Sequence, residues 1–141
     1  VTLTLDTNGT AEDARIVRQG LSAFNAAHAG DDHYQRIVFV VRDGDGTIRG
    51  GLLGGTYWGW LSVDILWLDE SLRGQGWGTR LMVLAEDEAR QRGCFSAHLD
   101  TMDWQALDFY RKLDYSVWGQ LDDLPTGHTR YFLKKSLLSQ A

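Results

Sequence analysis

Residues 60–93, WLSVDILWLDESLRGQGWGTRLMVLAEDEARQRG, constrain the fold more than any other part of the chain. Trp60–Asp69 is a run of β-branched and aromatic residues and reads as a strand. It is apolar on both faces towards its end, which suits the middle of a covered sheet. Arg73 follows, with glycines at alternate positions 74, 76 and 78. Trp77, Leu81, Leu84, Ala85 and Ala89 then recur on one helical face, with Arg80, Glu86, Asp87, Arg90 and Gln91 on the other. Gly93 stops that helix, and Phe95–Thr101 reads as another strand. A strand–helix–strand unit of this kind implies a parallel pair joined by a right-handed crossover.

Glycine costs roughly 1 kcal/mol relative to alanine inside a helix. Three of them at a helix mouth need a reason. A helix start leaves N–H groups unpaired and carries partial positive charge. A glycine-rich approach lets an anion reach those donors. Here the N–H groups of Gly74, Gln75, Gly76, Trp77, Gly78 and Thr79 would cradle it, and Arg73 would add charge. The competing reading is a tight turn with a solvated arginine. A dinucleotide fingerprint would need glycine where Thr79 stands, and the chain has no G-K-[ST] tripeptide. Both of those phosphate motifs are disfavoured.

The rest of the chain fits one domain spanning 1–141. Thr2–Asp6 alternates and reads as a strand. Thr10 is a helix N-cap, with Glu12 and Asp13 in the first turn. Ile16, Val17, Leu21, Phe24 and Ala27 keep helical spacing until Gly30. Tyr34–Asp43 and Thr47–Trp58 form a hairpin across a Gly-Asp-Gly turn. Asp103 begins a helix carrying Ala106, Phe109, Tyr110 and Leu113. Two last strands, YSVWGQL and TRYFLKKSL, flank a loop holding Pro125, the only proline. The order is β-α-β-β-β-α-β-α-β-β. It predicts an α/β fold with a mixed, mostly antiparallel central sheet and helices on both faces.

Net charge is −5, which disfavours nucleic acid and suits a cationic partner. Cys94 is the only cysteine, so an internal disulfide and a cysteine-rich zinc site are excluded; it reads as a small core hydrophobe. No apolar run reaches the roughly 20 residues of a bilayer span. VTLTLDT is short and not basic for a signal peptide. A cytoplasmic protein without membrane, nucleic-acid or metal partners is the expectation. Six tryptophans are many for this length; most are expected in the core, and one or two are expected to wall a pocket.

WLDESLRGQGWGTRLM resembles the acyl-CoA motif of the GNAT superfamily of N-acetyltransferases, [RQ]-x-x-G-x-[GA], filled here by Arg73, Gly76 and Gly78. DWQALDFYRKLDY resembles the family's later helix, N-x-x-A-x-x-x-Y-x-x-x-G-[FY], and Ala106, Tyr110 and Tyr115 match it. The resemblance covers about Leu52 to Leu137. The sequence departs from the pattern at Asp103, which replaces the asparagine and still suits a helix cap. It departs at Asp114, which replaces the glycine before the aromatic, and at Trp77, where an aliphatic residue is usual.

The resemblance implies direct transfer of an acetyl group from acetyl-CoA to an amine, with no metal. The pyrophosphate would lie on Arg73–Thr79. Backbone of the splayed strand at Leu66, Trp67 and Leu68 would hold the pantetheine and the acetyl oxygen. Asp103 is counted with the cofactor site. Tyr110 matches the family's acid for the leaving thiolate; the alternative is a core tyrosine. For the base, Asp64 shares a face with Leu66 and Leu68 by simple alternation. His98, Asp100, His128 and a water chain are rivals. The expected acceptor is a small cationic amine, and a homodimer is compatible with the family. Two other readings stay open: an acetyltransferase acting on protein N-termini or lysines, and a non-catalytic CoA-binding domain.

Overall fold

The computed structural model describes residues 2–138. These divide into two compact units, one ending at Asp32 and the other beginning at His33. The first holds helix α1, Ala11–Ala29. Its start is a capping box: Asp13 N–H donates to Thr10 Oγ1 at 3.1 Å, and Thr10 N–H donates to Asp13 Oδ2 at 2.9 Å. Gly30 ends it at φ 80°, its N–H donating to the Ala26 carbonyl. The strand expected at Thr2–Asp6 is not formed. Alternation only permits a strand; a ladder partner makes one, and this unit has no other strand among its described residues.

The described residues of the second unit form a six-stranded sheet with two α-helices and a 3-10 turn at Glu70–Leu72. Its strands are β1 (Gln35–Arg42), β2 (Ile48–Tyr57), β3 (Trp60–Leu68), β4 (Ser96–Met102), β5 (Ser116–Asp122) and β6 (Thr129–Ser136). Helix α2 is Trp77–Gln91 and helix α3 is Leu107–Lys112. The spatial order is β1-β2-β3-β4-β6-β5. Among the described residues only β3 and β4 pair in parallel, across α2, as the strand–helix–strand reading requires. Among the described residues no helix is long and apolar enough to cross a membrane.

One core lies on one face of this sheet. Ile37, Leu52, Leu61, Val63, Leu99 and Leu133 meet Leu81, Met82, Ala85 and Ala89 of α2 and Tyr110 of α3. Both helices of this unit therefore share that face. Cys94 is buried beside them, and burial pushes its thiol up. The stripe on α2 differs from the expected one. Leu84 is exposed and Glu86 is buried. The buried positions 78, 81, 82, 85, 86 and 89 follow the 3.6-residue period, so geometry overrides side-chain polarity. Glu86 is satisfied there: Lys135 Nζ donates to Oε1 at 2.8 Å and Tyr115 Oη to Oε2 at 2.7 Å.

The feature that opens the sheet is the short β3–β4 pairing. It begins at Trp60↔Ser96 and stops at Val63↔Leu99. Beyond that rung β3 continues against β2, and β4 continues against β6. The two strands have separated, so the far half of β3 is not sandwiched in a covered sheet. A bulge between Leu53 and Gly54 falls opposite Asp64. Burial along β3 alternates through Val63, and then Asp64 and Ile65 are both exposed. The phase has slipped by one residue. Asp64 thus keeps the face of Ser62, whereas Leu66 and Leu68 pack towards the core with Leu61 and Val63. The simple alternation that put Asp64 with Leu66 fails at the bulge.

Candidate active site

The separated strands form the walls of a cleft of about 830 Å³. Val63 to Leu68 line it from β3, and Asp100, Thr101 and Met102 from β4. The glycine loop and the first turn of α2 contribute Arg73, Gly74, Gly76, Trp77, Gly78 and Thr79. Trp104, Gln105, Ala106, Phe109 and Tyr110 close it from α3 and the turn before it.

The three glycines have two different reasons. Gly74 and Gly76 stand at φ 74° and 84°, a left-handed region that strains any residue with a Cβ. Open space surrounds the position of a Cβ at either. Gly78 is a packing glycine: a Cβ there would lie 3.2 Å from the Phe109 ring. It lets α2 approach α3. Gly76 is the N-cap of α2 and supplies no side-chain acceptor to its free N–H groups. The first turn carries no acidic residue. An uncapped, acid-free helix start with Arg73 beside it favours a bound anion. Arg73 Nε reaches back to the Leu68 carbonyl at 3.4 Å. The Trp77 ring carries the Arg80 guanidinium at 4.4 Å, so this departure from the family pattern places an aromatic wall on the cleft.

Gln75 and Asp103 are not among the cleft-lining residues, and their side chains are engaged elsewhere. Gln75 donates its side-chain amide to the Ser71 carbonyl at 2.8 Å. Asp103 is no helix cap, because α3 begins only at Leu107 with Ala106 as N-cap. Its carboxylate accepts Thr129 N–H at 2.9 Å and pairs with His128 Nδ1 at 2.9 Å, tying the end of β4 to the start of β6. The His128 contact holds the Asp103 carboxyl below its usual range. His128 is engaged here and not among the cleft-lining residues. Asp114 does take over the glycine's part, adopting φ 72° at the end of α3.

Tyr110 is buried yet borders the cleft. Burial, aided by the negative charge of Asp100, pushes its phenol up to about 12. It therefore keeps its proton at neutral pH. Among the described residues its hydroxyl has no hydrogen-bond partner, so that proton is available to a ligand.

Asp64 and Asp100 are the first residues past the last β3–β4 rung, one on each strand. Both line the cleft, at its apex. A rise of roughly 3.3 Å per residue sets Asp64 about 13 Å along β3 from Leu68, where the glycine loop begins. Ser62 Oγ donates to Asp64 Oδ1 at 2.6 Å. Asp100 is held by Arg130, whose Nε and Nη2 lie 3.0 and 2.8 Å from Oδ1. His98 hydrogen-bonds Tyr57 Oη at 2.9 Å on the same face but is not among the lining residues. Burial raises the Tyr57 phenol, and nearby Asp64 adds to the shift. The sequence reading missed Ser62, Arg130, Tyr57 and Gln105. A cross-strand pair such as Asp100–Arg130 becomes visible only once register is known.

Residues 10–115 match the family model described as the acetyltransferase (GNAT) family. An acetyltransferase of Agrobacterium fabrum is 38% identical over 125 residues, covering 89% of this chain and 91% of the relative. The blasticidin-S acetyltransferase of Streptomyces morookaense is 42% identical over 93 residues, covering 65% of this chain and 68% of its own. A crystal structure from Agrobacterium tumefaciens, described as an acetyltransferase, superposes with a TM-score of 0.88 at 35% identity, covering 96% of this chain and 99% of that one. A sheet that splays beside a glycine-loop helix, and sequence matches running through both, converge on one assignment: this chain is an acetyltransferase of the GNAT family.

Proposed function

We propose that the chain transfers an acetyl group from acetyl-CoA directly to the primary amine of a small cationic molecule. The observation that carries this is the polarity of one cleft. Its loop end offers Arg73 and the uncapped start of α2, which suit a pyrophosphate. Its apex offers Asp64, a carboxylate without an ion-pair partner among the described residues. The thioester would lie between, along Leu66–Leu68, where β3 has no neighbour on the β4 side. The amine, having lost a proton to Asp64, attacks the carbonyl carbon. A backbone N–H of this stretch stabilises the oxyanion. As the C–S bond breaks, Tyr110 gives its proton to the departing sulfur. The relative acting on blasticidin S favours a small acceptor over a protein.

A thiol-release assay with polyamines, aminoglycosides, blasticidin S and amino-acid amides, against unstructured lysine peptides, tests the reading. Acetylation of at least one small cation well above every peptide is expected. Turnover confined to peptides or protein N-termini would replace it with protein acetylation. Binding of acetyl-CoA without turnover of any amine would leave a CoA-binding domain.

A further inference from the structure

We infer that Arg130 sets the charge of the acceptor end of the cleft and thereby selects the charge of the acceptor; this rests on the amine reading above. Two carboxylates enter the apex from facing strands, Asp64 from β3 and Asp100 from β4. Ser62 and His98 are partners across the parallel pair, so residues two further on project from the same face of the sheet. Two uncompensated anions there would repel each other and would favour a doubly charged ligand. Arg130 removes one of them. It lies on the antiparallel neighbour β6 opposite Met102 and reaches back to Asp100 with two nitrogens. Its guanidinium also stands 5.5 Å from the Phe132 ring centroid, which fixes its direction. Asp64 receives only a neutral hydroxyl, from Ser62. Of the two apex carboxylates, Asp64 is thus the one without an ion-pair partner among the described residues, and it fits one ammonium at the reacting position. Of the other ionisable groups on this face, Tyr57 and His98 hydrogen-bond each other, and Lys134 of β6 stands opposite His98, one same-face position before the Asp100–Phe132 rung. Tyr110 feels Asp100 from the α3 side.

The test compares spermidine, a polycation, with alaninamide, a monocation, in kcat/KM at low salt. Removing Asp100 alone (Asp100→Asn) leaves the Arg130 charge unbalanced and should lower kcat/KM for both, by about twofold to fivefold. Removing Arg130 alone (Arg130→Gln) should raise it, more for spermidine than for alaninamide. The double variant should return towards the parent, Arg130→Lys should retain the parent's preference, and all effects should shrink as salt rises. A merely structural ion pair predicts something else: equal losses in both single variants. Such losses, or a double variant as weak as Asp100→Asn, would overturn the inference. If Asp100→Asn melts early, the contrast between Arg130→Gln and Arg130→Lys decides alone. Failure of the underlying reading shows separately, as Asp64→Asn without effect on either amine. If neither amine is acetylated or competes for the site, the inference falls; the amine reading falls with it only if the whole panel of small amines is left unacetylated.

Discussion

At the scale of single residues, the role proposed for Tyr110 would join stability to chemistry. Its phenol is raised by burial first and by Asp100 second, to about 12. An unfolded tyrosine titrates near 10. The folded state therefore holds this proton more tightly, and the resulting stability is complete below about pH 10 and lost as pH rises through about 12. The size is about 3 kcal/mol. Tyr110→Phe should lose less stability than the parent between pH 8 and pH 11, as measured by denaturant melts. The same variant should slow turnover by about 10²–10⁴ with acetyl-CoA affinity little changed. Unchanged turnover, with chemistry rate-limiting, would remove Tyr110 from the mechanism. Glu86 belongs to the same scale. Its carboxylate is buried between Lys135 and the Tyr115 hydroxyl, so Glu86→Ala strands a buried ammonium. A loss of about 3–5 kcal/mol is expected in equilibrium unfolding. The helical pattern alone had placed Glu86 on the wet face of α2. Nothing in a charged residue's type tells that a lysine on β6 will meet it.

At the scale of elements, the parts legible in the sequence are those fixed by local rules. The Thr10 cap, the Gly30 stop, the β1–β2 hairpin and the strand–loop–helix around Arg73 all follow from short-range chemistry. What was lost needed a neighbour. Thr2–Asp6 alternates without a ladder. The Leu53/Gly54 bulge reverses the side on which Leu66 and Leu68 fall relative to Asp64. The start of α3 shifts to Leu107 because Asp103 is drawn to Thr129 and His128. The glycine loop gives the prediction at this scale. Gly76→Val puts a branched side chain at φ 84° and at the mouth of α2. Acetyl-CoA affinity by calorimetry should fall at least tenfold. Gly74→Ala serves as a milder control for backbone strain, and melting curves separate misfolding from lost binding. Equal affinity in a folded Gly76→Val protein would move the pyrophosphate away from this loop. Asp114 supplies the opposite case. At φ 72° it sits where glycine costs less, so Asp114→Gly should stabilise the chain by about 1 kcal/mol in thermal melts.

At the scale of the whole molecule, the proposed function asks an acidic protein to hold a polyanion and a cation in one cleft. The net charge of −5 repels CoA at long range and attracts an ammonium. On the function proposed above, local structure supplies the anion site, with Arg73 and oriented backbone N–H groups rather than with a basic surface. On the same reading the amine end needs no such correction, because Asp64 works with the overall field. The two ligands should then respond oppositely to ionic strength. Screening over a Debye length of about 8–10 Å weakens the general repulsion of CoA and the general attraction of the acceptor. Raising salt should increase the acceptor KM while changing the acetyl-CoA KM little or lowering it. Asp64→Asn should raise the acceptor KM at low salt, leave acetyl-CoA affinity as in the parent, and flatten the acceptor's salt dependence. A salt response identical for both ligands, or Asp64→Asn acting on acetyl-CoA instead, would show that the acceptor is not held by charge at the apex. The part of the molecule that chooses the substrate would then lie among the aromatic walls of the cleft, beginning with Trp67, Trp77 and Trp104.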